Sequence, residues 1–397
     1  MAKITVDIPR DEDDFFRYGA IAAGVFGFAP ERAQIVFDSV GRENVRVVRV
    51  NGEIAGGMLV IPMGQFFGGR SVPMLGIALV AVAPESRASG AASTMMRAGL
   101  KEYRTRNGAI STLYPATQPV YRRAGYEQAG VHFTYSLPTA GLDVRERGLE
   151  LRPVQPEDDA ALRSLYLKWA ANHPGNLARN DYMWRRVYEL RGEKAQGFVV
   201  ARGGEIEGYL FYFQRTAPAP AGLNLPGYTM HLTDFVATTP TSARHLLTFL
   251  ADHRSLVNTV YWNGGPNEPV LGLLGELTAT VTLRWNWMLR VVHLEQALMA
   301  RGYGPGLSAE LHLNVRDDVL AENEGRWVVR VRDGAATVER GGQGTLEIDV
   351  RGLASLYSGY ATPAALVAQG YLTGPSAELL AAGSVFAGPF PWLRDQF

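Results

Sequence analysis

The chain repeats itself, and a repeat limits the possible folds more than any single motif does. Val6-Asp7-Ile8-Pro9-Arg10-Asp11-Glu12-Asp13-Asp14 precedes an apolar stretch of helical period over 15–28. Leu151-Arg152-Pro153-Val154-Gln155-Pro156-Glu157-Asp158-Asp159 precedes another over 162–171. In both, a short strand gives way to Pro and a cluster of acids, which suits the positive end of a starting helix. Further on, 47–56 resembles 199–208, and each reads as strand, tight glycine turn, strand. A third pair matches 79–86 to 234–242. The offsets are 147 (Pro9 to Pro156), 152 (Glu53 to Glu205) and 156 (Pro84 to Pro240). They drift slowly and in order, as small loop insertions would cause, so a diverged domain duplication is expected.

After Trp287 the texture changes. Segment 291–300 reads as a linking strand and helix start. Segments 311–315, 327–331 and 346–350 alternate like half-buried strands, and 353–360 and 363–368 look helical. The expected organisation is therefore an α/β domain over 1–147, its repeat over 148–288, and an α+β domain over 289–397.

Composition removes several chemistries. The 397 residues balance 39 Lys and Arg against 39 Asp and Glu, which argues against a broad nucleic-acid face. There is no Cys, so thiol nucleophiles, disulfides and zinc ribbons are out. The seven His include no HxxxH or HxH pair, and no metal is expected. The N-terminus has no apolar core of signal-peptide type. The apolar run 75–83 is far short of the roughly 20 residues that span a bilayer. No membrane is expected as a partner, and the expected location is the cytoplasm.

The most informative stretch is Val80-Ala81-Val82-Ala83-Pro84-Glu85-Ser86-Arg87-Ala88-Ser89-Gly90-Ala91-Ala92-Ser93. A buried strand ends at Pro84, and a turn rich in small residues opens a helix from about Gly90 through Met95, Met96 and Leu100. Small residues let backbone N–H groups converge at a helix N-terminus, where they can hold a pyrophosphate. Arg87 can add charge there. A turn of this kind taken alone is equally one that merely packs tightly.

The fuller pattern, Arg87-x-x-Gly90-x-Ala92 after a Val-x-Val-x-Pro strand, resembles the acyl-CoA pyrophosphate loop of the GNAT acetyltransferase superfamily. The resemblance implies acetyl-CoA as co-substrate, held by Val80, Ala81, Val82 and the loop Arg87, Ala88, Ser89, Gly90, Ala91, Ala92 and Ser93, with Ala116 and Thr117 downstream. Counted from the proline, the second repeat has Ala243 for Arg87 and Leu246 for Gly90. A leucine there would block backbone approach, so the second copy is expected to be degenerate. Downstream, Val120-Tyr121-Arg122-Arg123-Ala124-Gly125-Tyr126 is similar to a GNAT segment that makes Tyr121 the candidate acid. A phenol near pKa 10 can protonate a departing thiolate near 8.5. Core packing is the other reading of any such Tyr, and Tyr126 fits it better.

Two tandem GNAT domains followed by a sterol-carrier-protein-like α+β domain resemble the enhanced-intracellular-survival (Eis) acetyltransferases over essentially the whole chain. In that family the terminal carboxylate enters the first domain's active site as the base. Here that role falls to Phe397, at the end of Pro389-Phe390-Pro391-Trp392-Leu393-Arg394-Asp395-Gln396-Phe397. That composition is odd for a solvated tail. An α-carboxylate of pKa about 3.5 is too weak to strip an ammonium near 10 outright, so it relays the proton through water or binds the cationic amine. Family members that acetylate aminoglycosides line the pocket with acids, whereas here the penultimate residue is Gln396 and the first helical region reads Val25-Phe26-Gly27-Phe28.

The expected function is acetyl transfer to a small-molecule primary amine by direct attack in a ternary complex, with no nucleic acid bound. The resemblance implies a homo-oligomer, a hexamer. Two other classes are an apolar-ligand carrier built on the third domain and a non-catalytic scaffold of GNAT relics. The intact Arg87-to-Ala92 loop argues against the scaffold.

Overall fold

The computed structural model describes residues 3–217 and 227–397. Met1 and Ala2, at the start of the expected first domain, and 218–226, inside the second, lie outside the described residues. Among the described residues no helix is long and apolar enough to cross a membrane.

The chain forms two compact units. One comprises Met1–Gly130, Asn286–Pro389 and Phe397; the other comprises Val131–Trp285 and Phe390–Gln396. The first repeat runs β1 (Ile4–Asp7), α1 (Glu12–Phe26), α2 (Pro30–Val40), β2 (Val45–Val50), β3 (Glu53–Phe67), β4 (Arg70–Val82), α3 (Ala91–Thr105), β5 (Ile110–Leu113), α4 (Gln118–Arg122) and β6 (Glu127–Pro138). The acids before α1 do what their position suggests: Asp11 accepts from the Asp14 N–H and caps the helix. The turn between β2 and β3 is Asn51-Gly52, both left-handed at φ 54° and 94°, as a two-residue hairpin requires.

The second repeat follows the same plan: β7 (Glu150–Pro153), α5 (Asp159–Ala171), β8 (Leu177–Ala178), α6 (Asp181–Tyr188), β9 (Glu189–Leu190), β10 (Glu193–Lys194), β11 (Gln196–Arg202), β12 (Glu205–Ala217), β13 (Gly227–Ala237), α7 (Pro240–Asp252), β14 (Val257–Gly264) and β15 (Thr280–Val291). Its matching hairpin turn, Gly203-Gly204, is left-handed at both residues.

In the first unit β1, β2, β3 and β4 are antiparallel neighbours and β5 joins β4 in parallel. In the second unit β7, β11, β12 and β13 are antiparallel and β14 joins β13 in parallel. Each sheet then needs one more strand, and the repeats exchange it. Met288–Val291 of β15 pairs with β5, and Phe133–Pro138 of β6 pairs with β14. The compact units therefore follow different boundaries from the sequence repeat.

The rest of the first unit is an α+β layer. It contains α8 (Leu294–Ala300), β16 (Ser308–Arg316), β17 (Gly325–Arg332), β18 (Ala335–Arg340), β19 (Leu346–Asp349), α9 (Val350–Ser358), α10 (Pro363–Ala368), β20 (Leu372–Thr373) and α11 (Ser376–Val385). The sheet order is β18-β17-β16-β19-β20. Strands β18 and β20 and helix α11 lie outside the segments expected from the sequence. A fully buried ion pair, Arg290 to Asp317 at 2.6 Å, ties β15 to this layer. Removing one partner of such a pair costs about 3–5 kcal/mol, because the other is left charged and buried.

Strand exchange makes a prediction. A fragment ending at Arg147 lacks the strand that pairs with β5, so it should show no cooperative thermal transition alone and should regain one when mixed with 148–397. A full-strength cooperative melt of 1–147 by itself would contradict the exchange.

Candidate active site

In the first unit, β4 and β5 run parallel only from Met74–Ile110 to Ile77–Leu113. Beyond Ile77 the strand carries one extra residue against β3, since Gly57 faces Ala81 while Leu59 faces Ala78. Leu79 adopts φ 50°, unusual for a branched residue, and the buried Tyr18 hydroxyl donates to its carbonyl at 2.6 Å. A bulge of this kind bends the strand, and the edge of β4 from Ala78 to Val82 continues past the end of its pairing with β5. This is the stretch assigned to Val80, Ala81 and Val82. An open strand edge receives an extended chain of alternating donors and acceptors.

The edge leads into the glycine loop. A short turn, Pro84–Ser86, is followed by Arg87, Ala88, Ser89 and Gly90, all exposed. Ala88 and Gly90 are left-handed at φ 62° and 91°. Ser89 Oγ donates to the Ser86 carbonyl and accepts from the Ala91 N–H. Gly90 opens α3 with no side-chain cap, so the N–H groups of Ala92 and Ser93 have no protein acceptor among the described residues. Arg87 has no carboxylate partner among them either. Free N–H groups at a helix start beside an unpaired guanidinium suit an anion.

The second repeat ends differently, and the register read from the proline needs correcting. Pro240 does not begin a loop; it is the first residue of α7. The residue matching Gly90 is therefore Thr239, and Leu246 is a fully buried core residue nearly two turns further on. The start of α7 differs from that of α3 in its capping. Thr239 Oγ accepts from the Ser242 N–H and Ser242 Oγ accepts from the Thr239 N–H. Pro240 has no N–H. The Ser242 N–H is thereby taken up within the helix start, and the Thr241 N–H is left without an acceptor among the described residues.

Tyr121 stands at the end of α4, buried, its ring edge-on to Tyr126 at 6.3 Å. Burial pushes its phenol up to about 12, so it stays protonated at neutral pH, and its hydroxyl has no hydrogen-bond partner among the described residues. Tyr126 is the packing residue: fully buried, its hydroxyl meets Ser111 Oγ, which donates to the Leu75 carbonyl. Ala116 and Thr117 are exposed just before α4, and the Thr117 side chain caps nothing.

The tail is buried from Pro391 to Asp395. Trp392 bridges to Val131, and the Leu393 carbonyl lies 2.9 Å from His132 Nδ1. Arg394 and Arg179 converge on Asp234 at 3.0 and 2.5 Å, and Arg179 also meets Asp395 at 2.9 Å. Burial works against the Asp234 carboxylate, but the two guanidiniums outweigh it and hold its pKa down to about 2. Gln396 lies 2.9 Å from His132 Nε2. Both polar residues beside Phe397 are thus engaged with the protein itself.

Phe397 belongs to the first unit. Its ring is edge-on to Tyr114 at 5.9 Å and lies over Gly76 of β4, where an added Cβ would sit 2.9 Å from it and 2.6 Å from Met63 Cε. Gly76 went unnoticed in the sequence, although a lone glycine inside an apolar strand signals close approach. Tyr18 and the bent Leu79 carried no such signal.

Residues 9–129 and 175–291 each match an acetyltransferase (GNAT) domain, and 294–394 match a sterol carrier protein domain. A solved GCN5-related N-acetyltransferase from Anabaena variabilis is 35% identical over all of both chains, with a TM-score of 0.94. The N-acetyltransferase Eis of Mycobacterium tuberculosis is 26% identical over 93% of each chain. Eis1 of Mycobacterium abscessus, 21% identical over the full length of both chains at TM-score 0.80, shares the fold. With this order of domains, the chain belongs to the GCN5-related N-acetyltransferase family, in its Eis-like group, and is an acyltransferase.

Proposed function

We propose that the protein transfers an acetyl group from acetyl-CoA directly to a primary amine on a small molecule, in a ternary complex held by the first repeat. The observation that carries this reading is the continuity of the open β4 edge with the uncapped start of α3. The edge offers hydrogen bonds to a pantetheine chain, and the N–H groups of Ala92 and Ser93, with Arg87, offer charge complementarity to a diphosphate. Val80 to Val82, Arg87 to Ser93, and Ala116 and Thr117 form the binding set. Catalysis falls to domain 1–147. Domain 148–288 is a closed copy, and domain 289–397 supplies the tail. The Eis-like resemblance adds a cytoplasmic homohexamer.

Acetyl-CoA supplies an activated thioester. The amine forms its C–N bond as the C–S bond breaks, and the sulfur takes its proton from Tyr121. A phenol at about 12 is a weaker acid than free tyrosine, so the proton moves only as charge accumulates on the sulfur. The amine's proton leaves toward the Phe397 carboxylate, directly or through water. With no Cys in the chain, no thiol-bound acyl-enzyme is involved. The exposed Phe26 ring, stacked on Phe28 at 6.4 Å, favours an acceptor less cationic than an aminoglycoside.

Tyr121→Phe should lower kcat by about 10²–10⁴-fold, the usual range for a lost general acid, with acetyl-CoA affinity unchanged. Release of free thiol measured at saturating substrates checks it, and equal turnover would return Tyr121 to the core.

The tail makes a sharper prediction. Deleting Phe397 moves the carboxylate back by as much as about 3.6 Å, where a displacement of about 1 Å already costs roughly 10²-fold. That deletion, a C-terminal histidine tag, and Gly76→Val, which occupies the place of the ring, should all bind acetyl-CoA and lose transfer. Phe397→Leu should keep most of it. A tagged enzyme as active as the untagged one would sink the terminal-carboxylate mechanism.

A further inference from the structure

The first unit also contains a cavity lined by charge. It measures about 470 Å³ and is reached by five guanidiniums: Arg97 of α3, Arg122 and Arg123 at the end of α4, Arg316 at the end of β16, and Arg351 in the first turn of α9. All five residues belong to the same compact unit. The chain as a whole balances 39 basic residues against 39 acidic ones, so five cations at one cavity are a local concentration and not the mark of a basic protein.

Their carboxylate partners do not cover them. Arg122 is matched by the buried Glu127, which accepts from its Nε and Nη2 at 2.9 and 2.8 Å. Arg316 and Arg351 share one carboxylate, Asp349, each at 2.9 Å. Asp349 is committed further as the N-cap of α9, where it accepts from the Arg351 N–H. Asp318 lies on the wall but forms no ion pair among the described residues, and Arg97 and Arg123 have no carboxylate partner among them either. Even with Asp318 counted, five guanidiniums face three carboxylates, an excess of two positive charges.

Water satisfies a single exposed guanidinium, and one alone would mean nothing. Here four elements bring their cations to one concave wall, where like charges repel and the field is focused toward an anion. An excess of two calls for a dianion. Guanidinium forks arriving from different elements suit a tetrahedral group with three terminal oxygens better than a planar carboxylate with two. At roughly 30 Å³ per water the cavity has room for about fifteen, more than a bare phosphate fills. Val350 is the one apolar side chain on its wall among the described residues, so the rest of the ligand is polar too.

We propose that this cavity binds the phosphomonoester dianion of a polar organic molecule, with Arg97 and Arg123 as its principal donors. Two sources share that chemistry. One is a free phosphorylated metabolite such as a sugar phosphate. The other is the 3′-phosphate of acetyl-CoA: Arg97 stands one turn beyond Ser93 on the same face of α3, and this source rests on the acetyl transfer proposed above.

Inorganic phosphate is the probe, titrated by calorimetry into the full chain with ionic strength held constant by sodium chloride. The native protein and Gly90→Leu, which blocks the proposed diphosphate site, should both show a saturable phosphate site. Adding Arg97→Gln and Arg123→Gln should weaken it by about tenfold or more. Neither side chain has a carboxylate partner to lose, so an unchanged melting temperature is expected. Acetyl-CoA against acetyl-3′-dephospho-CoA then separates the sources. If the occupant is the cofactor's own phosphate, the native protein prefers acetyl-CoA and the double arginine variant does not. If it is a free phosphorylated molecule, both proteins bind the two thioesters alike while only the native one binds phosphate tightly. Binding of neither thioester would sink the acetyl-CoA reading and leave the phosphate titration to decide this one. Absence of a saturable phosphate site, or a site that the double variant leaves unchanged, would overturn the proposal.

Discussion

Backbone groups along β5 and β14 must find partners on both sides, and in each unit the missing partners come from the other repeat. Met288–Val291 completes the first sheet and Phe133–Pro138 the second. Much else depends on that exchange. It carries the chain out of β15 directly into α8, with Arg290 buried against Asp317. It also places Val131 and His132 in the second unit, where they bind Trp392, Leu393 and Gln396 of the tail. The second repeat thus supplies a strand to the sheet of the first unit, and the first repeat supplies one to the second.

The two copies diverge most at the join between strand and helix. In the first, eight residues separate β4 from α3, two of them left-handed, and the helix starts on a glycine without a cap. In the second, two residues separate β13 from α7, and a reciprocal Thr239–Ser242 box closes the helix. The same elementary need, to satisfy orphan N–H groups at a helix start, is met from inside the protein at Ser242 in one copy and left open at Ala92 and Ser93 in the other. That difference, more than any single side chain, is what the proposed cofactor site in the first repeat rests on.

Local features were legible in the sequence where conformation is dictated locally. Asn51-Gly52 and Gly203-Gly204 turn as hairpins because both positions need positive φ, and α3 begins beside Gly90 for a related reason. The aromatic and proline content of 389–397 told of burial, and 391–395 are buried. Non-local features were not legible. Segments 131–137 and 287–291 carry apolar patterns that fit either sheet, so nothing local says they are exchanged. The correspondence of Leu246 to Gly90 failed because a count from Pro84 and Pro240 assumes loops of equal length. Glu268 lies in Asn267-Glu268-Pro269, which reads as an ordinary solvated turn, and only the fold reveals its burial.

The central claim is that one copy is open to acetyl-CoA and the other is closed. Titration calorimetry of the full chain with acetyl-CoA measures this directly. The account predicts one site per chain, lost in Gly90→Leu, where a branched side chain must adopt φ near 91° over the free N–H groups, and retained in Thr239→Ala. Two sites per chain, none, or a single site that survives Gly90→Leu would contradict it.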